Sequence, residues 1–266
     1  MQQSTKIAVP GATGRVGRHV VDILESRGYD VVPISRSQGV DVITGEGLDE
    51  ALSGVETIID VSTQSTPDQQ AATEFFETAT RNLQEAGQRA GVRRLVVVSI
   101  IGIDKFAGGY NAAKVVQEQV AMAGPIPARI VRAAQFHEFV EELMQWGIQG
   151  DVSYVWKLRT QLVSARTVAE ELVDLATASD AEFEAAETTE IAGPREERLV
   201  DLARLVAERS GEPGAVQELD ASGDPDAELM ANGGILPGPE ALLAGPTFAA
   251  WLDAVSPAAR TRSPAR

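Results

Sequence analysis

Through the first half of the chain, short β-branched runs alternate with longer stretches whose apolar residues recur at helical spacing. Lys6–Val9 reads as a buried strand, and Val16–Arg27 as a helix with Val16, Val20, Ile23 and Leu24 on one face. Gly28 stands just past that helix, where a glycine closes the last turn without steric cost. Asp30–Ser35 is the next strand, Gly39–Thr44 a short third strand, Leu48–Leu52 a brief helix and Thr57–Val61 a fourth strand. Asp68–Ala90 is a long helix that stops at Gly91. Arg94–Ser99 is nearly all apolar, the mark of a strand buried on both faces. Tyr110–Ala123 then reads as a helix and Ala128–Ala133 as a sixth strand. Six strands alternating with helices over about 135 residues predict an α/β fold built on a doubly wound parallel sheet.

Beyond residue 136 the pattern loosens. Glu138–Trp146, Thr167–Thr177, Arg198–Arg209 and Phe248–Asp253 keep helical spacing, separated by Gly/Pro punctuation such as Gly193-Pro194 and Pro237-Gly238-Pro239. The expected division is a sheet domain over residues 1–135, a small C-terminal substrate lobe over 136–255 interleaved with the sheet's edge, and a flexible tail over 256–266. That tail has little to bury.

Charge and composition narrow the function classes. Lys+Arg 23 against Asp+Glu 39 leaves a net charge of −16, a field that repels nucleic acid and anionic lipid. With no cysteine, disulfides, thiolate catalysis and cysteine-held metals are excluded, and two histidines, His19 and His137, are too few for a typical zinc site. No apolar run approaches the ~18 residues of a membrane span, and no apolar core of a signal peptide follows the first residues. The expectation is a cytoplasmic protein that handles a small molecule, without a metal, a membrane or nucleic acid. The oligomeric state is left open between monomer and homodimer.

Gly11-Ala12-Thr13-Gly14-Arg15-Val16-Gly17 lies between the first strand and the first helix. A tight turn, a close backbone approach to a pyrophosphate and close helix–sheet packing each ask for a glycine there, and the helix start then offers its free N–H groups to phosphates. With Asp60-Val61-Ser62-Thr63, Val97-Val98-Ser99-Ile100-Ile101-Gly102-Ile103-Asp104, Tyr110-Asn111-Ala112-Ala113-Lys114 and Arg132-Ala133-Ala134-Gln135-Phe136-His137-Glu138-Phe139, the chain resembles the short-chain dehydrogenase/reductase superfamily. Its closer resemblance is to the atypical, NmrA-like NAD(P)H-binding branch. The resemblance implies a Rossmann sheet that binds a nicotinamide nucleotide through Gly11, Thr13, Gly14, Arg15, Val16 and Gly17.

The second strand ends in Ser35-Arg36-Ser37, where an NAD-preferring site places a carboxylate on the ribose 2′-hydroxyl. Arg36 suits a 2′-phosphate bidentately, with Arg15 from the loop as a second cation, so NADPH/NADP+ is expected over NADH. A solvated surface arginine is the plainer alternative for Arg36. By resemblance, Asp41-Val42 matches the adenine contact, and Ser62 and Thr63 lie beneath the ribose and pyrophosphate.

Tyr110 and Lys114 are spaced i, i+4 and so share one helix face. A phenol with a pKa near 10 needs a nearby cation to give up a proton at neutral pH, and a lysine one turn away supplies one while also holding the ribose. Ser99 fills the third place of the superfamily's catalytic set, with a possible cofactor contact as well. On the substrate side the resemblance places Gln135, Phe136 and His137 against nicotinamide and substrate. Trp156 belongs to an aromatic-rich span that serves either a pocket wall or the core. The functional expectation is an NADPH-dependent oxidoreductase that reduces a small carbonyl, quinone or imine by hydride transfer. The alternatives are a non-enzymatic NADP(H)-binding redox sensor and an epimerase or dehydratase on the same fold.

Overall fold

A computed structural model describes residues 5–255 except 65, 67, 107, 221 and 222; the expected tail at 256–266 and residues 1–4 lie outside the described residues. The described residues form two compact units, one of residues 5–133, 165–191 and 237–242, the other of 134–164, 192–236 and 243–255.

In chain order the first unit supplies β1 (Lys6–Pro10), α1 (Gly17–Ser26), β2 (Asp30–Ile34), α2 (Leu48–Ala51), β3 (Thr57–Asp60), α3 (Gln69–Ala90), β4 (Arg94–Ile100), α4 (Gly109–Ala123) and β5 (Ala128–Ala133). The second unit then adds α5 (Phe139–Trp146), β6 (Ile148–Gln149), β7 (Val152–Trp156) and β8 (Arg159–Thr160). The chain returns to the first unit with α6 (Ala165–Thr177), α7 (Asp180–Ala185) and β9 (Thr189–Ala192). It ends with β10 (Glu197–Arg198), α8 (Leu199–Ser210), β11 (Ala215–Leu219), α9 (Pro225–Ala231), β12 (Leu242–Leu243) and α10 (Phe248–Val255).

The central sheet has seven strands in the order β12-β9-β5-β4-β3-β1-β2, and the pairings from β2 across to β9 are parallel. Strand order reverses between β1 and β3, so the glycine loop after β1 opens at the switch point where doubly wound sheets bind ligands. Ala8, Ile58, Leu95 and Val97 point into a core shared with Leu83 and Ala86 of α3 and Ala121 of α4. Because side chains alternate along a strand, Ile7, Val9, Ile59 and Val96 face the opposite layer, where α1 packs on α6. Each fully buried Leu or Ile contributes about 1.5–3 kcal/mol.

Local signals set the helix ends. The Asp68 carboxylate accepts the Ala71 N–H at 2.7 Å at the start of α3, and Gly91 closes that helix at φ +79°.

Two expectations are corrected. Gly39–Thr44 is not a strand: Gly39 is left-handed at φ +77°, and Asp41 Oδ1 accepts the Ile43 N–H at 2.7 Å, curling the segment into a turn. Its alternating Val40 and Val42 instead pack against the core from that turn. Among the described residues up to 135 there are therefore five strands, not six, and the next parallel strand is β9, which pairs with β5.

Within the second unit, β11 pairs parallel with β7 and β7 antiparallel with β6, while β8 pairs antiparallel with β10. No helix among the described residues is long and apolar enough to cross a membrane.

Candidate active site

The glycine loop is tight because its neighbours leave no alternative. A Cβ on Gly11, at φ +81°, would lie 2.6 Å from the Val61 carbonyl oxygen, and one on Gly17 would lie 2.1 Å from the Gly11 carbonyl oxygen. Gly14 is less confined, since a Cβ there would stand 3.1 Å from that same oxygen. Val16 precedes α1 and carries no side-chain oxygen to cap it, so the helix start offers N–H groups that an anion can take. This cradle fits a nucleotide pyrophosphate. Thr13 is exposed, Gly14 and Arg15 half-buried, and Val16 and Gly17 buried, which limits the last two to backbone contact with a ligand.

Beside it, β2 ends at Ile34, and Ser35 Oγ lies 2.9 Å from Ser37 Oγ. Arg36 opens a short 3₁₀ turn, is exposed and makes no ion pair among the described residues. Asp41 holds its own turn, and Asn82 of α3 donates to the Val42 carbonyl at 2.9 Å.

The end of β3 carries the densest polar chemistry. Asp60 shares a face with Ile58 and is fully buried beneath the helices. Its Oδ1 accepts the Ser62 N–H at 2.9 Å and the Ser62 hydroxyl at 2.6 Å, and its Oδ2 accepts from Gln117 Nε2 at 3.1 Å. Gln117 in turn accepts from Lys114, whose Nζ also donates to the Val98 carbonyl at 2.7 Å and lies 4.7 Å from the Phe76 ring centre. Burial raises the Asp60 pKa against the hydrogen bonds of Ser62, the charge of Lys114 and Gln117. Burial likewise brings Lys114 down to about 8, opposed by Asp60 and Glu118.

Tyr110 stands in the first turn of α4, which begins where the Gly109 N–H donates to Gln69 Oε1 at 2.7 Å. Its ring meets Phe76 edge-on at 5.5 Å, and its hydroxyl lies 2.7 Å from Thr63 Oγ1. Burial raises the phenol pKa and the Thr63 hydrogen bond lowers it. The structure thus brings together Tyr110, Thr63 and, through Val61, the glycine loop. It turns the Lys114 ammonium inward, toward the Val98 carbonyl and Gln117, while burial and Thr63 act on the phenol in opposite directions.

Ser99 also departs from its expected place. It follows Leu95 and Val97 on the same strand face, is 1% exposed, and its Oγ has no hydrogen-bond partner among the described residues. A hydroxyl sealed under α3 and α4 reaches no substrate.

The remaining expected residues belong to the second unit. Gln135 Oε1 accepts the Thr160 hydroxyl at 3.0 Å, and Phe136 forms a parallel bridge with Val163. His137 is fully buried between Phe248 and Trp251, ring centres 5.4 and 5.3 Å away, with Nε2 3.2 Å from the Pro246 carbonyl oxygen. It is a core residue, which corrects its expected substrate contact. Trp156 is 47% exposed at the end of β7.

Asp60 and Gln117 had no assigned role in the sequence. The available signal was a carboxylate ending an otherwise apolar strand, and an amide three residues beyond a lysine on a helix.

Glycine cradle, uncapped helix and switch point together define a dinucleotide-binding α/β protein. The chain belongs to a family described as NAD(P)H-binding, whose model matches residues 11–178. A ceramide reductase of Caulobacter vibrioides (strain NA1000 / CB15N) is 29% identical over 141 residues, 47% of this chain. The chain spans under half of that curated relative, 44% of its length. Among solved structures, an NADPH-dependent quinone oxidoreductase from Escherichia coli aligns with TM-score 0.63 at 18% identity, over 93% of this chain and 98% of the other. A dTDP-4-dehydrorhamnose reductase from Bacillus anthracis str. Ames in complex with NADP aligns with TM-score 0.68 at 16% identity, over 95% and 98%. These two likenesses establish the fold. The chain is an NAD(P)H-binding protein.

Proposed function

We propose that this chain is an NADPH-dependent reductase that delivers hydride to a small carbonyl, quinone or imine, with Tyr110 as the proton donor. The observation that carries the reading is the Tyr110 hydroxyl, paired with Thr63 beside the glycine cradle instead of buried in the core. The names of the Caulobacter and Escherichia coli proteins, a reductase and a quinone oxidoreductase, favour reduction as the reaction class.

The bound nicotinamide supplies the hydride. The start of α1 holds the pyrophosphate through its backbone N–H groups, while Gly11 and Gly14, whose own N–H groups donate to the Ile34 and Gly11 carbonyls, let the backbone come close to it. Arg36 and Arg15 take the 2′-phosphate, and the missing carboxylate after β2 removes the group that would favour NADH. Lys114 has two of its three protons engaged, by Val98 and Gln117, which leaves one for a ribose hydroxyl. The Tyr110 phenol gives its proton to the substrate oxygen or nitrogen as the neighbouring carbon takes the hydride, and the phenolate is reprotonated from water.

The test follows NADPH absorbance across a panel of carbonyls, quinones and imines. Tyr110→Phe is expected to bind NADPH as the parent does and to turn over about 10²–10⁴-fold more slowly. A parent that oxidises NADPH with none of these acceptors above the blank rate sinks the reductase reading and leaves a nucleotide-binding sensor.

A further inference from the structure

We propose that Thr63, from the segment after β3, is the hydroxyl partner of the reacting phenol, in the place that the resemblance assigns to Ser99 on β4. The inference rests on the reading of Tyr110 as proton donor. Three observations carry it. Thr63 Oγ1 lies 2.7 Å from the Tyr110 hydroxyl and is exposed, whereas Ser99 is sealed in the helix–sheet layer. The segment leading into Thr63 is held in place: the Val61 N–H donates to the Pro10 carbonyl at 3.0 Å, and Ser62 bonds twice to Asp60. Lys114, the nearest cation along α4, gives its protons to Val98 and Gln117.

A threonine hydroxyl has one proton to donate and two lone pairs. It donates to the oxygen of the neutral phenol, whose own proton then points at the substrate, and goes on donating to the phenolate after transfer, so one side chain serves both states without moving the backbone. The bond to the charged form is the stronger one, which makes the pairing favour phenolate. Burial opposes ionisation of this phenol, and Thr63 is the group that offsets it.

The test reads ionisation directly and needs no substrate. The protein is produced with fluorotyrosine, whose phenol ionises nearer neutral pH, and the three tyrosines are followed by fluorine NMR, Tyr110 being assigned with Tyr110→Phe. Thr63→Val is expected to raise the Tyr110 midpoint by about one pH unit, the tenfold effect of losing one hydrogen bond to a charged oxygen. Thr63→Ser restores the parent midpoint, which a bulk effect of the substitution would not do. In the reductase assay Thr63→Val loses about tenfold in turnover and Thr63→Ser recovers it.

Parent and Thr63→Val titrating alike would overturn the pairing. So would a Ser99→Ala protein whose turnover falls as far as that of Thr63→Val, which would return the role to β4. A shifted titration in a protein that reduces no acceptor supports the pairing and removes the reductase reading, so the two failures are distinct.

Discussion

The ammonium of Lys114 lies 2.7 Å from the Val98 carbonyl oxygen, inside the layer between α4 and β4 and one turn along from Tyr110. Through Gln117 it meets Asp60, so a cation and an anion are buried together with an amide bridging them. Taking both charges out of water is costly, and their attraction compensates only while both remain. Lys114→Met is therefore expected to lose about 3 kcal/mol of stability, because it strands the Asp60 carboxylate. Asp60→Asn in the same chain should recover part of that loss, with a coupling of roughly 0.5–3 kcal/mol between the two positions. Urea melts of the parent, both single variants and the double variant measure it. Strictly additive losses would show that the two charges do not support one another.

Arg36 governs nucleotide choice if the exposed guanidinium after β2 takes the 2′-phosphate. Titration calorimetry should give NADPH at least about tenfold tighter binding than NADH, the scale of a bidentate charge-assisted pair. Arg36→Ala should bring the two affinities together by weakening NADPH alone. Equal affinities in the parent would end this assignment.

The glycines of the loop divide into those the fold needs and one the ligand needs. Gly17→Ala places a methyl 2.1 Å from a backbone oxygen that has nowhere to go, so it should lower the melting temperature with no nucleotide present. Gly14→Val meets the same oxygen at 3.1 Å, a clash that a small shift relieves. It should melt close to the parent yet gain nothing from added NADPH, since its side chain fills the path of the phosphates. Thermal melts with and without NADPH separate the two cases. Stabilisation of Gly14→Val by NADPH would contradict a phosphate role for that position.

Much of this fold was legible because its signals are local. The loop glycines, the apolar run of β4 and the Gly91 stop each act within a few residues of themselves. The segment around Val40 and Val42 misled because alternation marks which residues face a core, not whether the backbone is extended. A left-handed Gly39 and the Asp41 side chain decide the turn. Strand β9 escaped because only its pairing with β5, more than fifty residues upstream, makes four weakly marked residues a strand. In the site, the i, i+4 spacing of Tyr110 and Lys114 was legible, but where each side chain turns was not. Thr63 and Asp60 come from the end of β3 and just beyond it, and they claim the two groups separately, Asp60 through Gln117 on the helix of Lys114 itself. Ser99 alone carried a readable warning, since it sits two residues beyond Val97 and so shares its buried face.

His137 gives the second unit a pH dependence whose sign follows from its burial. Desolvation holds the imidazole down to about 4, against the opposing hydrogen bond to the Pro246 carbonyl, whereas the unfolded chain takes its proton near 6.5. Between these values the unfolded state binds a proton that the folded state refuses, so stability rises with pH across the window. The contribution is complete above about 6.5 and is lost as pH falls towards 4, by roughly 3 kcal/mol in all. His137→Phe keeps a ring against Phe248 and Trp251 but cannot titrate. It should be less stable than the parent at pH 7, because the Pro246 carbonyl loses its donor, and the gap should close or reverse by pH 4. Groups such as Glu171, whose pKa burial also raises, are common to both proteins and cancel in the difference. Urea melts at half-unit steps from pH 7 to 4 measure that difference. Two stability curves running parallel over the whole range would mean that His137 takes its proton in the folded protein as readily as in the unfolded chain.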